Sequence, residues 1–328
     1  MSTVGVGVPE PPAAQREPEP ASRRALVPHV MGRPISPGIV RAGRGVLRGY
    51  GKLTSPVRPL PDFLLIGAKR CGTTSFYFHL LRHPGVLPMF PSARFLPKAR
   101  DGKGPHFFDS NYHRRLAWYR AHFPSLLTRR IAAASTSGPV VSGEASPYYL
   151  YHPLAAQRAA RDVPGARLLV LLRDPVERAF SHYREQRRNG TETLGFAEAL
   201  AAEDGRTRGE EGRLIDNPGA QSFAHEQQSY LRQGEYVAGL RRWLEQFPRA
   251  QLLVQPSELY YEDPERACRA AHAFLGLPAT PAGSAPVLNA APASPMAADL
   301  RRRLVEHYAP FNDELADLLG QRFSWSRP

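Results

Sequence analysis

The chain has 328 residues, 42% of them hydrophobic, which is enough to bury the core of one large domain. Its net charge of +13 favours an anionic partner: a nucleotide, a nucleic acid, an acidic glycan or a membrane surface. Two cysteines argue against a disulfide-stapled scaffold, and the lack of an apolar run of about 18 residues argues against a membrane-spanning protein.

Residues 1–60 are rich in proline and arginine and have no sustained hydrophobic period. This composition predicts a disordered basic arm, because such a segment cannot bury enough apolar surface to fold. Within it, residues 36–50 have the composition of a short basic amphipathic helix, which would either touch a membrane surface or act as a solvated linker. Residues 61–328 are expected to form the folded domain.

Three apolar runs are each followed by a segment with helical spacing. The strands are predicted in DFLLIG (62–67), ARLLVLLRDP (166–175) and AQLLVQPSELY (250–260), with helices starting near residues 73, 176 and 263. Apolar strands that alternate with helices indicate a parallel sheet covered on both faces, so the predicted fold class is three-layered α/β. A further helix is expected in 300–320, and the polar, glycine-rich residues 204–222 are expected to form a surface excursion.

The first strand–helix junction, GAKRCGTTS (67–75), has the form of a phosphate-binding loop. Gly67 and Gly72 have the spacing of G-x-x-x-x-G-K-[ST], but Thr73 occupies the lysine position and the loop's lysine is Lys69. Backbone N–H groups at such a turn, with the positive end of the helix dipole, bind an anion. The sequence therefore predicts a P-loop-like anion site that differs from an ordinary ATP-binding loop.

The second strand ends in Arg173, and Ser181 follows about two turns into the next helix. An arginine at the carboxyl end of a strand meets a ligand in the crevice of the sheet. The ligand is thus expected to carry anionic groups at two separate places, one at the start of the first helix and one at Arg173 and Ser181.

The two motifs together resemble those of sulfotransferases that use 3′-phosphoadenylyl sulfate (PAPS). The loop 67–75 resembles their site for the 5′-phosphosulfate, and RDPVERAFS (173–181) matches their 3′-phosphate motif, R-[DN]-P-x-x-R-x-x-S, at every fixed position. The similarity extends over about residues 61–325, and is closest to bacterial relatives of the heparan sulfate and carbohydrate sulfotransferases. It continues in segments 103–124, 143–153, 230–254 and 288–320.

The resemblance implies in-line transfer of a sulfuryl group from PAPS to a hydroxyl or amine of a carbohydrate, a glycolipid or a bacterial metabolite. Lys69 would stabilise charge on the bridging oxygen, as the corresponding lysine does in the family. No metal is expected, since the transferred sulfonate carries less charge than a phosphoryl group. The residues predicted to bind PAPS or its product PAP are Lys69, Arg70, Cys71, Gly72, Thr73, Thr74, Ser75, Arg173, Ser181 and Tyr230.

The catalytic base is the point at which the chain departs from the family pattern. The resembling glycan sulfotransferases commonly carry a glutamate two residues before the histidine of the HFF stretch, and here that position is Gly104. His106 is the leading candidate base, because its unperturbed pKa of about 6.5 suits proton transfer near neutral pH. Glu144 and Glu185 are alternatives, and His106 has a competing structural interpretation as a ring packed beside the two phenylalanines that follow it.

Three other interpretations stay open. A P-loop kinase or NTPase would share the loop, and a nucleic-acid-binding module would account for the charge, although no helix-turn-helix, RNP or zinc pattern is evident. A paralogue that binds PAPS or PAP without catalysis would account for Gly104.

We expect a cytoplasmic enzyme without a nucleic-acid partner, because Cys71 in the loop favours a reducing compartment and the N-terminus lacks a secretory apolar segment. Weak contact of the basic arm with a membrane surface would make it peripheral to the membrane.

Overall fold

The computed structural model describes residues 46–47, 49–91, 104–136, 138–279 and 296–326, and the backbone of two short paired strands, His29–Val30 (β1) and Arg33–Pro34 (β2). Most of the predicted arm 1–60 lies outside the described residues, so its disorder stays a prediction. Residues 46–47 and 49–53 are helical (α1), at the end of the segment 36–50 whose composition suits a short amphipathic helix.

Within the described residues, five strands form a wholly parallel central sheet in the order β4-β5-β3-β6-β7. The strands are Phe63–Gly67 (β3), Val86–Leu87 (β4), Val141–Ala145 (β5), Arg167–Leu172 (β6) and Leu252–Pro256 (β7). In the register, Phe63 pairs with Gly143 on one side and with Arg167 on the other. The predicted α/β class and the three predicted strands are confirmed.

The sequence did not predict β5, although every one of its residues is buried. Its sequence, VSGEA, lacks an apolar run because Ser142, Gly143 and Glu144 interrupt it. A Cβ at Gly143 would collide with the backbone and ring of Phe63 on the neighbouring strand, so only glycine permits this close pairing.

Helices connect and cover the strands. They are Thr73–Leu80 (α2), Arg115–Arg120 (α3), Leu126–Thr136 (α4), Ala155–Asp162 (α5), Pro175–Asn189 (α6), Phe196–Thr207 (α7), Glu210–Asp216 (α8), Phe223–Gln227 (α9), Tyr236–Leu244 (α10), Ser257–Glu262 (α11), Pro264–Phe274 (α12) and Ala298–Leu319 (α13). The segment 204–222 lies at the surface as predicted, but it is largely helical. No helix of the described residues is long and apolar enough to cross a membrane.

Helix α6 shows how the sequence sets the bounds of an element. The side chain of Asp174 accepts a hydrogen bond from the N–H of Val176, and Pro175 occupies the first helical position. The helix ends at Gly190, whose φ of 74° is left-handed and favours glycine. Because β6 ends just before this cap, Arg173 is held at the carboxyl edge of the sheet.

Candidate active-site cleft

A cleft with a volume of about 430 Å³ opens at the carboxyl edge of the sheet. It is lined by residues from both predicted anion motifs: Lys69, Arg70, Gly72, Thr73, Thr74, Ser75, Arg173 and Ser181. His106 also lines it. The carboxyl ends of adjacent parallel strands are the usual place for a ligand in such a sheet. The fold therefore brings together two motifs that lie about 100 residues apart in the sequence.

The loop after β3 has the backbone geometry of an anion cradle. Gly72 is the N-cap of α2 and has a φ of 77°, a left-handed conformation in which glycine is unstrained. A Cβ at this position would also lie 2.8 Å from the hydroxyl oxygen of Tyr261. The backbone N–H groups of a helix's first turn, together with the positive end of the helix dipole, favour a bound anion at such a place.

Lys69 is nearly enclosed, with 14% of its side chain exposed. Its Nζ donates to Oε1 of Gln227 at 2.7 Å and to the carbonyl oxygen of Glu226 at 3.2 Å, and it forms an ion pair with Glu226 Oε1 at 3.4 Å. Burial lowers the pKa of Lys69, while the negative charge of Glu226 opposes this shift and favours the protonated amine. The loop thus presents a cation held by neutral and anionic oxygen acceptors.

Arg70 connects the two motifs directly. Its Nε donates to Ser181 Oγ at 3.3 Å, and its Nη1 forms an ion pair with Glu185 Oε1 at 2.6 Å. Arg70 has a φ of 75°, a left-handed backbone that costs a non-glycine residue of order 1 kcal/mol. Such strain is typical of residues placed for ligand binding rather than for folding.

Arg173 lies beside an acidic residue of α6, Glu177. Its Nη2 lies 3.6 Å from Glu177 Oε2, and Glu177 also forms an ion pair with Arg301 of helix α13. Arg301 Nη2 lies 3.4 Å from Asp174 Oδ2, so it connects α13 to the residues that flank Arg173. This network orients the guanidinium while leaving it at the wall of the cleft.

His106 forms a tight pair with Asp109, with 2.8 Å between Nδ1 and Oδ2. Burial acts to lower the pKa of His106, but the charge and hydrogen bond of Asp109, with smaller contributions from Glu226 and Glu144, outweigh it and raise the pKa to about 9. The ring is therefore a cation at neutral pH. This charge state counts against the predicted role of His106 as the proton acceptor.

Glu144 does not line the cleft but lies sealed beneath it, with no exposed surface. Its Oε1 accepts from the hydroxyls of Tyr149 at 2.7 Å and Tyr119 at 3.2 Å, and its Oε2 accepts from Ser146 at 2.7 Å. Burial raises its pKa to about 7, although these hydrogen bonds partly offset the effect. A carboxylate with both oxygens occupied and no access cannot touch a substrate, which counts against its role as the alternative base.

A family model described as "Sulfotransferase domain" matches residues 60–294, which is most of the chain. This chain belongs to the sulfotransferase domain family. The resemblance inferred from its two phosphate motifs is thereby confirmed. The match covers the loop after β3, the Arg173 motif and the strands that position them.

Individual relatives agree with this assignment. The sulfotransferase chain is 31% identical over 222 residues to bifunctional heparan sulfate N-deacetylase/N-sulfotransferase 3 of Homo sapiens, covering 66% of this chain and 22% of that protein. It is 28% identical over 293 residues to heparan sulfate glucosamine 3-O-sulfotransferase 3B1 of Mus musculus, covering 82% and 65%. The crystal structure of a sulfotransferase from Alicyclobacillus acidocaldarius is 30% identical, with a TM-score of 0.56, and the alignment covers 82% of this chain and all of that one. The chain therefore spans only part of the length of the first two relatives.

Two residues predicted to bind PAPS are not brought to the cleft of the sulfotransferase domain. The side chain of Cys71 is fully buried, with Sγ 3.7 Å from the Tyr236 hydroxyl. Tyr230 is fully buried as well, and its hydroxyl donates to Glu192 Oε2 at 2.9 Å. Both side chains belong to the packing behind the cleft, so only the backbone of Cys71 takes part in the loop.

The cleft also contains residues that the sequence did not single out: Tyr148, Asn189, Glu226 and Gln227. Glu226 and Gln227 form the end of α9, and Asn189 is the last residue of α6. None of them belongs to a phosphate motif, and asparagine, glutamate and glutamine are common on solvated helix faces. Because only the fold brings these four residues to the cleft, no sequence signal identified them.

Proposed function

We propose that this sulfotransferase domain transfers a sulfuryl group from PAPS to a hydroxyl or an amine of an acceptor. The observation that carries the proposal is the meeting of two anion motifs in one cleft, with Arg70 Nε 3.3 Å from Ser181 Oγ. PAPS offers matching chemistry, because it carries a phosphosulfate at its 5′ end and a phosphate at its 3′ end. The heparan sulfate enzymes among the relatives favour a carbohydrate acceptor, with a glycolipid or a bacterial metabolite as alternatives.

Each part of the cleft has a defined task under this proposal. The N–H groups at the start of α2 hold the 5′-phosphosulfate, and Arg173 with Ser181 holds the 3′-phosphate. Lys69 places its charge at the bridging oxygen, where negative charge develops as the S–O bond breaks. The transferred group resembles a loose phosphoryl group, so positioning and charge account for most of the rate.

His106 has a task that differs from the one the sequence suggested. With its pKa raised to about 9 by Asp109, it contributes a positive ring that lines the cleft. A fixed cation with an N–H donor stabilises an oxygen that gains negative charge in the transition state. We therefore assign to His106 the stabilisation of charge rather than the acceptance of the acceptor's proton.

The test has a binding arm and a transfer arm. Titration calorimetry should show PAP binding at least about tenfold more tightly than AMP, since Arg173 and Ser181 recognise the additional phosphate. Radiolabelled sulfate should then pass from PAPS to at least one member of a panel of desulfated glycans, glycolipids and small hydroxyl compounds. Equal affinity for PAP and AMP would refute the proposed donor site, and tighter binding of ATP than of PAP would favour a P-loop kinase instead.

A second candidate function is binding of PAPS or PAP without catalysis. It is favoured by Gly104, which provides no side chain at the position of the family's usual glutamate. Its signature would be strong PAP binding with no transfer of labelled sulfate to any acceptor or to water.

A further inference from the structure

Position 104 cannot supply the base, and its packing explains why. A Cβ built on Gly104 would overlap the carbonyl oxygen of Ala145 and the hydroxyl of Ser146, and would lie 2.7 Å from the carbonyl carbon of Ala145. The two Ala145 atoms are backbone at the end of β5, and Ser146 Oγ is held by its hydrogen bond to Glu144 Oε2 at 2.7 Å, so these atoms do not move aside as the tip of a flexible side chain could. If a proton is removed from the acceptor, it therefore has to be taken by a base at another position.

Among the described residues, two acidic side chains line the cleft, Glu185 and Glu226. Glu185 pairs with Arg70 at 2.6 Å, beside Ser181 and hence on the side assigned to the 3′-phosphate. Glu226 instead contacts Lys69, whose charge is assigned to the leaving oxygen. The acceptor must approach the sulfur at the end of the cleft where Lys69 acts. Of these two described carboxylates, Glu226 is therefore the one with the right location.

We propose that Glu226 is the catalytic base that takes the proton of the acceptor; this inference rests on the proposed function. Its Oε1 accepts from Gln227 Nε2 at 2.9 Å and lies 3.4 Å from Lys69 Nζ. No hydrogen bond to Oε2 is formed within the described part of the chain, so this oxygen is available to an acceptor hydroxyl. About a quarter of the side chain is exposed, at 26%.

The backbone of Glu226 is held in place by contacts independent of its carboxylate. The buried side chain of Gln233 donates through Nε2 to the carbonyl oxygens of Glu226 at 2.8 Å and His225 at 3.2 Å. At the other end of α9, Ser222 Oγ accepts from the N–H of His225 at 3.0 Å. A carboxylate on a short helix fixed at both ends has the precise placement that proton transfer requires.

The step balances with the residues present. A lone pair of the acceptor oxygen forms a bond to sulfur, and the bond between sulfur and the bridging oxygen breaks with its electron pair remaining on the phosphate of PAP. The acceptor's proton passes to Oε2 of Glu226. Lys69 turns from Glu226 and Gln227 to the bridging oxygen, so the carboxylate loses its cationic partner as it becomes the proton acceptor.

The test compares Glu226→Gln with Glu226→Asp and with a matched control, Glu314→Gln. Glu314 forms a half-exposed ion pair with Arg241 at 2.8 Å, on helices α13 and α10 away from the cleft. The amide keeps the shape of Glu226 but accepts no proton, so kcat should fall by about 10²-fold or more while PAP affinity changes less than about threefold. Glu226→Asp should restore part of the loss, and Glu314→Gln should match the wild type.

The outcomes separate this inference from the function on which it rests. Transfer by Glu226→Gln within about threefold of the wild type, with PAP bound normally, would overturn Glu226 as the base and leave the proposed function standing. A loss of PAP affinity of tenfold or more would show that Glu226 acts by placing Lys69, and would also overturn it. Failure of the wild-type protein to bind PAP, or binding without transfer to any acceptor, would overturn both.

Discussion

Replacing Asp109 with asparagine should remove a pH-dependent part of the stability of the domain. Asp109 is fully buried and raises the pKa of His106 from its ordinary value of about 6.5 to about 9. A group whose pKa is raised by folding contributes stability that is complete below the unfolded pKa and disappears as the pH rises through the folded one. The affected window therefore runs from about pH 6.5 to about pH 9.

The size of the effect follows from the shift. The difference between the His106 pKa in the unfolded and the folded state is equivalent to about 3 kcal/mol of stability. Because 35% of the histidine side chain is exposed to solvent, which screens the charges, we expect a contribution of about 2 kcal/mol. Asparagine preserves the shape of Asp109 and an oxygen for the N–H of Ser110, so the charge is the main change. At pH 6 the variant should be about 2 kcal/mol less stable than the wild type, and above pH 9 the difference should largely vanish.

Urea unfolding of both proteins at several pH values would measure this difference, and NMR titration of the His106 ring would give its pKa directly. His106→Gln is a matched variant, since it removes the titrating ring and should show the same loss of pH dependence. Glu144 and Glu203 also have raised pKa values near 7, so the comparison uses differences between proteins rather than the wild-type slope. A stability difference that stays constant between pH 6 and pH 9, or a His106 pKa below 7, would refute the charged-histidine argument.

Three further predictions concern the cleft and its floor. Lys69→Met should lower kcat by about 10²-fold while PAP affinity falls less than tenfold, because the proposed function assigns the charge of Lys69 to the leaving oxygen; steady-state kinetics and calorimetry separate the two effects. Arg173→Ala and Ser181→Ala should each weaken binding of PAP, by about tenfold for the arginine, and leave AMP binding unchanged; equal losses for both nucleotides would argue against a 3′-phosphate site. Gly104→Ala should cost about 2 kcal/mol or more in urea unfolding because of its contacts with the end of β5, whereas Gly205→Ala, with open space around it, should not destabilise the domain.

The main elements of the fold were predictable because their sequences carry strong patterns. The strands β3, β6 and β7 are apolar runs, and the helices after them have clear caps, such as Gly190 at the end of α6. The strand β5, next to the central strand β3, was not predictable, since it combines polar residues with glycine and gains its burial only from its neighbours. A strand of this kind has no local signal, because tertiary packing rather than propensity determines it.

The candidate site was predictable where a motif has a fixed spacing. Lys69, Arg173 and Ser181 were found in this way, and all three line one cleft. Protonation states and access were not predictable: the pKa of His106 depends on Asp109, and the sealing of Glu144 depends on two tyrosines. Nor does the sequence distinguish a glutamate at the tip of α9 from one on a solvated helix face.

The three basic side chains of the anion motifs each have an acidic neighbour in the protein: Lys69 has Glu226, Arg70 has Glu185, and Arg173 has Glu177. A small anion such as inorganic phosphate or sulfate could replace only one of these carboxylates at a time. Its net free energy of binding is therefore small, because it breaks one ion pair to form another. A molecule with two well-separated anionic groups can displace two of these carboxylates in one binding event, and its own two ion pairs replace both of those that are lost. Under the proposed function, the internal pairing thus favours a ligand with two separated anionic groups over inorganic phosphate or sulfate, at the expense of some affinity for PAPS.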